Sequence, residues 1–130
     1  MMSDTRTMLA SANPLEVLAA AWDAFDVAHR VASAVTWEDG ADELQALVAS
    51  QSCMDGRTLL PLPESGRPLE TPDIAAGPEG LDPWVDLLHE VRDALVRLGD
   101  GESVEARAFL GEVAGYAEAG ASSLAAVRDR

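Results

Sequence analysis

A run of prolines near the middle of the sequence constrains the fold of this chain more than any other feature. Five prolines fall within residues 61–78, and glycines lie among and around them: Pro61, Pro63, Pro68, Pro72, Pro78, with Gly56, Gly66, Gly77 and Gly80. A proline inside a helix removes a hydrogen bond and clashes with the preceding turn. No helix can therefore cross this stretch, and the sequence divides into two helical halves joined by a proline-rich strap over residues 54–81.

The strap is long for a connection within one domain, and such segments are usually functional or disordered. Its leucines predict that it packs across the helices as an ordered segment: Leu59, Leu60, Leu62 and Leu69. Because prolines are tolerated at the edges of sheets, a short edge hairpin about Ser65–Gly66 is compatible with this sequence.

Two helices are predicted in the first half, over about residues 14–35 and 37–51. Asn13, Pro14 and Glu16 form a strong start signal, since the asparagine caps free N–H groups and the proline lacks the donor that would be stranded. Thr36 is the predicted cap of the next helix. Its predicted apolar side consists of Trp37, Ala41, Leu44, Leu47 and Val48.

Two more helices are predicted in the second half, over about residues 83–98 and 102–127. Gly99 and Gly101 mark the end of the first of these, as glycine commonly does. Short loops within each half favour antiparallel pairs. The sequence therefore predicts an all-α, antiparallel four-helix bundle with a long Pro/Gly-rich crossover between its second and third helices.

Length and composition predict one helical domain over residues 13–130, preceded by a flexible arm over residues 1–12. The 130 residues fall within the usual size range of a single domain. Cys53 is the only cysteine, so the fold needs no disulfide. The N-terminal stretch lacks a secretory apolar block and no run of eighteen apolar residues occurs, so we expect a cytoplasmic protein.

The charge balance is strongly acidic, with 23 acidic and nine basic residues and a net charge of −14. Binding to nucleic acid needs clustered cations, and anionic membranes also attract basic segments. We therefore expect neither a nucleic acid nor a membrane as a partner. A basic protein partner is compatible with this charge, because opposite charges speed encounter. Solubility alone is the simpler explanation.

The two histidines occur in repeated Asp-x-x-His patterns, Asp26–His29 and Asp86–His89. Such pairs can supply half of a metal site in a helix bundle. Projected at 100° per residue, His29 lies on the apolar side of its helix, whereas His89 lies on the solvent side of another. The two pairs cannot converge in one bundle, so the sequence predicts no metal site.

His29 itself has two interpretations. On an apolar stripe, a histidine is usually a core residue whose ring nitrogens are hydrogen-bonded. The alternative is a small-molecule pocket that uses the face of the first predicted helix. The residues of this ligand-binding alternative are Trp22, Phe25, Asp26, His29 and Tyr116.

No arrangement typical of catalysis or of cofactor binding is visible in the sequence. There is no lysine, hence no phosphate loop with its lysine, and zinc-type cysteine spacing is absent. Ser50, Ser52 and Cys53 have no histidine nearby in sequence. We therefore predict a non-enzymatic protein without a cofactor.

Two features indicate interaction with other proteins. The predicted last helix carries a small-residue face opposite its apolar side: Ala108, Gly111, Gly115, Ser122 and Ala126. Glycine inside a helix costs up to about 1 kcal/mol relative to alanine, so this face favours close approach of another helix unless it reflects composition alone. The second feature is an acidic cluster, which a helix N-terminus partly explains: Glu38, Asp39, Asp42 and Glu43.

These observations favour a small helical protein that acts by protein–protein interaction, as a regulatory or adaptor module and as a homodimer through the small-residue face. Two alternatives belong to other classes. One is the ligand-binding bundle described above. The other is an acidic DNA mimic, which would bind the basic cleft of a nucleic-acid enzyme in a salt-sensitive way.

Overall fold

The computed structural model describes residues 2–35, 43–60 and 81–128, and these form five helices. In chain order they are α1 (Met2–Leu9), α2 (Pro14–Val35), α3 (Glu43–Leu59), α4 (Asp82–Gly99) and α5 (Val104–Arg128). No strand occurs in the described ranges. The predicted all-α helical bundle is confirmed, whereas the crossover over residues 61–80 and its possible hairpin lie outside the described residues.

The four long helices form a closed ring in the order α2, α3, α5, α4, and α1 packs on the outside against α2 and α4. The α2–α3 and α4–α5 pairs are antiparallel. In the α2–α3 pair, Phe25 lies against Gly56 while His29, further along α2, contacts Ser50, which is earlier in α3. In the α4–α5 pair, Gly99 lies near Arg107 and Leu88 lies near Gly120.

The core of the ring is built from aliphatic side chains of all four long helices with many alanines between them. The largest completely buried side chains are Phe25, Leu81, Leu87, Leu88, Leu95, Leu124, Val17, Val27, Val31, Val91 and Val113. Burial of each such side chain contributes about 1.5–3 kcal/mol. Small alanine side chains on the facing surfaces allow the helix axes to approach closely.

Local signals explain where the helices begin and end. The Asn13 side chain accepts a hydrogen bond from the Leu15 N–H at 3.0 Å, which confirms the predicted start of α2. Ser103 accepts one from the Ala106 N–H at 3.2 Å, so α5 begins at Val104, two residues later than predicted. Gly101 has φ = +82°, a left-handed conformation that allows the tight turn between α4 and α5.

The N-terminal region differs from the flexible arm that the sequence analysis expected over residues 1–12, because Met2–Leu9 form α1. Thr5 and Leu9 are buried. Arg6 pairs with Glu90 at 2.7 Å, and Arg97 donates to the Leu9 carbonyl oxygen at 2.5 Å. An isolated helix of this length is marginal, so these contacts with α4 account for its formation.

Helix α3 differs from its prediction in length and in orientation. It continues to Leu59, so residues 54–59 of the predicted strap are helical. Its buried residues are small: Ala46, Ala49, Ser50, Cys53 and Gly56. Three residues of its predicted apolar side are instead exposed, Leu44 by 69%, Leu47 by 54% and Val48 by 43%.

Close approach of α2 and α3 explains this orientation. A Cβ atom added at Gly56 would lie 2.6 Å from two ring carbons of Phe25, which is closer than van der Waals contact permits. Only the small side chains of α3 fit at such a separation.

No helix in the described residues is long and apolar enough to cross a membrane.

Candidate functional site

The contact between α2 and α3 contains the most extensive group of polar contacts inside the described bundle, and Asp26 is at its centre. The Asp26 side chain is only 9% exposed. Its Oδ1 accepts a hydrogen bond from Arg57 at 2.6 Å, and its Oδ2 accepts one from Arg30 at 3.2 Å. A buried carboxylate needs such partners, because an unpaired buried charge costs several kcal/mol.

Trp22 and Asp23 extend this group along α2. The Arg57 guanidinium lies 5.7 Å from the centroid of the Trp22 ring, within the range of a cation–π contact. Burial, together with repulsion from the Asp26 carboxylate, raises the pKa of Asp23 to about 6. Asp23 is thus a titratable group whose charge changes close to neutral pH.

His29 belongs to a second set of hydrogen bonds, one turn further along α2. Its Nδ1 lies 2.8 Å from the Ser50 hydroxyl oxygen and 3.1 Å from the Ser50 carbonyl oxygen. The Ser33 hydroxyl lies 3.0 Å from that of Ser50. These contacts join α2 to α3 and match the interpretation of His29 as a hydrogen-bonded core residue.

A serine hydroxyl at 2.8 Å from an imidazole is also the spacing of a nucleophile and its base. A carbonyl oxygen only accepts, so the contact with the Ser50 carbonyl is a hydrogen bond in the tautomer that carries the proton on Nδ1, and in that tautomer His29 is not the base of Ser50. In the other tautomer Nδ1 accepts from the Ser50 hydroxyl. Ser50 is moreover 8% exposed and lies within α3, where backbone N–H groups are used by the helix and provide no oxyanion hole.

The residues of the ligand-binding alternative do not all meet. Trp22, Phe25, Asp26 and His29 share α2, but Phe25 is completely buried against Gly56. Tyr116 is on α5, which packs mainly on α3 and α4. Phe25 therefore serves the core rather than a ligand, and the contacts of Asp26 and His29 hold two helices together. A ligand at this face stays a prediction.

Sequence reasoning missed three features of this site, for different reasons: Ser33, Arg57 and the position of Ser50. Ser33 is four residues after His29, so the helical spacing could have identified it. Arg57 was missed because the predicted helix ended at residue 51. Ser50 was noted, but its pairing with His29 depends on the α2–α3 register.

Cys53 is buried, and burial raises the pKa of its thiol to about 12, so it is unreactive.

The second Asp-x-x-His pair lies on α4, away from the first. Asp86 is exposed and His89 is half-buried on α4, whereas Asp26 and His29 face α3. Within the described ranges no group of three His, Cys, Asp or Glu side chains could hold a metal ion.

The small-residue face of α5 is exposed over its whole length: Ala108, Gly111, Gly115, Ser122 and Ala126. A Cβ atom added at Gly111 or Gly115 would meet no described atom within 4 Å. Neither glycine is therefore needed for packing within the described part of the bundle. Gly120 differs, because an added Cβ there would lie 3.0 Å from the Cys53 sulfur.

Of the acidic cluster, Glu38, Asp39 and Asp42 lie outside the described residues, and Glu43 is the exposed first residue of α3. The exposed Leu44, Leu47 and Val48 follow it directly, and we call these three residues the outer face of α3.

An open groove of about 330 Å³ between α1 and α4 is lined by Arg6, Leu9, Ala10, Glu90, Asp93, Ala94 and Arg97. Its arginines already bind Glu90 and the Leu9 carbonyl oxygen.

Comparison with known proteins finds no family model, no curated protein and no solved structure that matches this chain. Its function is therefore inferred from the chemistry and exposure of its own residues.

Proposed function

We propose that this chain is a non-catalytic helical module that acts by protein–protein interaction, and that it forms a homodimer through the small-residue face of α5. The observation that supports this proposal is the open space around Gly111 and Gly115. The two glycines weaken α5 without serving any close contact in the described bundle.

The cost of these glycines is substantial for a domain of this size. Each destabilises a helix by about 1 kcal/mol relative to alanine, and a domain is stable by only about 5–15 kcal/mol in total. Close approach of a second helix gives them a use, because small residues at every third or fourth position allow two backbones to pack directly. With α5 of the partner in the same position, the contact is symmetric, as most homodimer contacts are.

The α2–α3 polar group supports a structural role better than a catalytic one. Asp26 is neutralised by Arg30 and Arg57, and His29 is hydrogen-bonded to Ser50. The hydrogen-bonded oxygen and nitrogen atoms of this group are directed at one another. The part of the molecule that remains available for function is its surface.

Sedimentation equilibrium tests the homodimer. We expect the unaltered protein to dimerise at micromolar concentration, and the double variant Gly111→Gln/Gly115→Gln to dimerise at least about tenfold more weakly, a change of about 1.4 kcal/mol. Glutamine is a good helix former without charge, so the variant monomer folds and is more stable than the original. Circular dichroism checks that both are helical.

Glu105→Gln is the matched control, since Glu105 is exposed on α5 outside the small-residue face. It places the same side chain on the same helix and should leave the dimer unchanged. A protein that is monomeric at high concentration, or a dimer equally strong in the double variant, would show that composition alone explains the two glycines.

A further inference from the structure

The outer face of α3 is unusual because three large apolar side chains of this helix are exposed, whereas Leu59 at its end packs against the core. Leu44, Leu47 and Val48 are spaced at i, i+3 and i+4, so they lie on one side of a single helical turn. The residues that α3 buries are alanine, serine, cysteine and glycine. Exposed contiguous apolar patches that are rimmed by polar residues are typical of sites where another protein binds when they exceed a few hundred Å².

Acidic groups border this patch at both ends. Glu43 precedes Leu44, and Asp55 follows on the same side of α3, where its carboxylate accepts a hydrogen bond from Gln51 at 2.8 Å. The whole chain carries a net charge of −14. An occupant of this face must therefore offer apolar side chains to the three residues and tolerate negative charge on either side.

A second copy of this chain does not meet that requirement at α3. In a parallel pairing Glu43 would face Glu43 and Asp55 would face Asp55, and in an antiparallel pairing Glu43 would face Asp55. Either arrangement places like charges opposite each other at both ends of the patch, which disfavours association. A partner with cations at those positions gains from both contacts.

We infer that the outer face of α3 binds an amphipathic helix of another protein, one with a leucine-type apolar stripe flanked by lysine or arginine. Such helices recognise apolar surfaces through residues at i, i+3, i+4 and i+7. The acidic border sets the sign of the partner's charge and speeds encounter. This inference rests on the proposed function as an interaction module, but it concerns a different face from the α5 dimer.

Fluorescence anisotropy with two synthetic peptides tests this inference. One is a labelled amphipathic helix of leucine and lysine, and the other has the same leucines with glutamate in place of lysine. We expect the leucine–lysine peptide to bind and the leucine–glutamate peptide not to bind. The affinity of the leucine–lysine peptide should fall as salt is raised. Leu47→Glu should weaken binding at least about tenfold, which is about 1.4 kcal/mol.

Val96→Glu on α4 is the matched control, because Val96 is 53% exposed and Leu47 is 54% exposed. Both variants add the same charge to an exposed apolar position, so only a specific α3 site distinguishes them. Should Leu47→Glu fail to fold, Leu44→Glu replaces it. Equal changes in the α3 and α4 variants would mean that the peptide does not bind specifically at the outer face of α3, and the inference would be wrong.

Two other results would also overturn it. Failure of the leucine–lysine peptide to bind would mean that the face takes no such helix. Self-association lost in Leu47→Glu but kept in Gly111→Gln/Gly115→Gln would assign the face to a second copy. Because sedimentation of the α5 variants is measured separately, failure at α3 is distinguishable from failure of the proposed homodimer.

Discussion

At the scale of single residues, Asp23 is the described carboxyl group whose environment differs most clearly from that of a free side chain. Burial and the neighbouring Asp26 carboxylate raise its pKa from 3.8 to about 6. Arg57 and Arg30 both pair with Asp26 rather than with Asp23 in the described contacts. The ionised form of Asp23 is therefore disfavoured in the folded state.

Because the pKa of Asp23 is raised in the folded state, its ionisation lowers the free energy of unfolding at high pH. Below pH 3.8 Asp23 is protonated whether the chain is folded or not, and the penalty is absent; it grows between pH 3.8 and 6 and is complete above pH 6. The full shift corresponds to about 3 kcal/mol, and solvent screening at this half-buried site reduces it to about 1 kcal/mol.

We predict that Asp23→Asn raises the free energy of unfolding by about 1 kcal/mol at pH 8 and leaves it almost unchanged near pH 4. Urea denaturation at the two pH values, followed by circular dichroism, measures this difference. Asp86→Asn on the exposed side of α4 is the control and should change little at either pH. An equal gain at both pH values would contradict the assigned pKa.

At the scale of elements, the contact between α2 and α3 is limited by volume. Phe25 is completely buried and its ring fills the space beside Gly56, so neither residue has room to move. Extra methyl groups in a filled core typically cost about 1–3 kcal/mol. Alanine is a better helix former than glycine by about 1 kcal/mol, so the two effects oppose each other at residue 56.

We predict that overpacking dominates and that Gly56→Ala destabilises the protein by about 1–2 kcal/mol. Thr58→Ala, at an exposed position two residues away, should change stability by less than about 0.5 kcal/mol. Adding Phe25→Leu should relieve the clash, so the double variant should be more stable than the sum of the single changes by about 1 kcal/mol. Urea unfolding of the four proteins measures this coupling, and strict additivity would refute the contact.

Helix α3, compared with the other helices, shows what could be predicted from the sequence. Caps at Asn13 and large apolar residues located α2, and similar periodicity located α4 and α5. In α3 the periodicity identified Leu44, Leu47 and Val48 correctly as one side, yet assigned that side to the core. A pattern of large residues does not reveal that a helix packs through its small ones, because the separation from α2 is a property of both partners.

Helix α1 and the α2–α3 polar group could not be predicted for a related reason. Eight residues become helical because Arg6 and Leu9 find partners on α4, far away in sequence. The pairing of Asp26 with Arg57 likewise depends on the register of two helices. His29 was predicted to face inward and Asp26 to lie at the rim of the apolar side. The structure buries Asp26 and leaves His29 half-buried against α3, and the partners of both come from the tertiary structure.

At the scale of the whole molecule, the net charge of −14 has two consequences. It favours a basic partner for the outer face of α3, and it opposes folding through repulsion between acidic groups. The attractive pairs on the surface, such as Arg6–Glu90 and Arg92–Asp93, involve exposed side chains. Exposed pairs are each worth about 0–1 kcal/mol, and salt weakens them too.

Repulsion between many acids outweighs these few pairs, so screening should stabilise the fold. Raising ionic strength from about 0.01 to about 0.15 M shortens the screening length from about 30 to about 8 Å. We predict a gain of about 1 kcal/mol and a rise in Tm of about 3–6 °C. Calorimetry of Gly111→Gln/Gly115→Gln measures it without a contribution from dimerisation.

A variant with fewer acids, Asp100→Asn/Glu105→Gln/Glu112→Gln, is the control for this effect. All three positions are exposed in the described structure, so their replacement leaves the core unchanged and reduces only the repulsion. Its Tm should be higher at low salt and should rise less on screening. A Tm that falls with salt in both proteins would instead mean that the surface ion pairs outweigh the net charge, and that the acidic surface is paired rather than available to a basic partner.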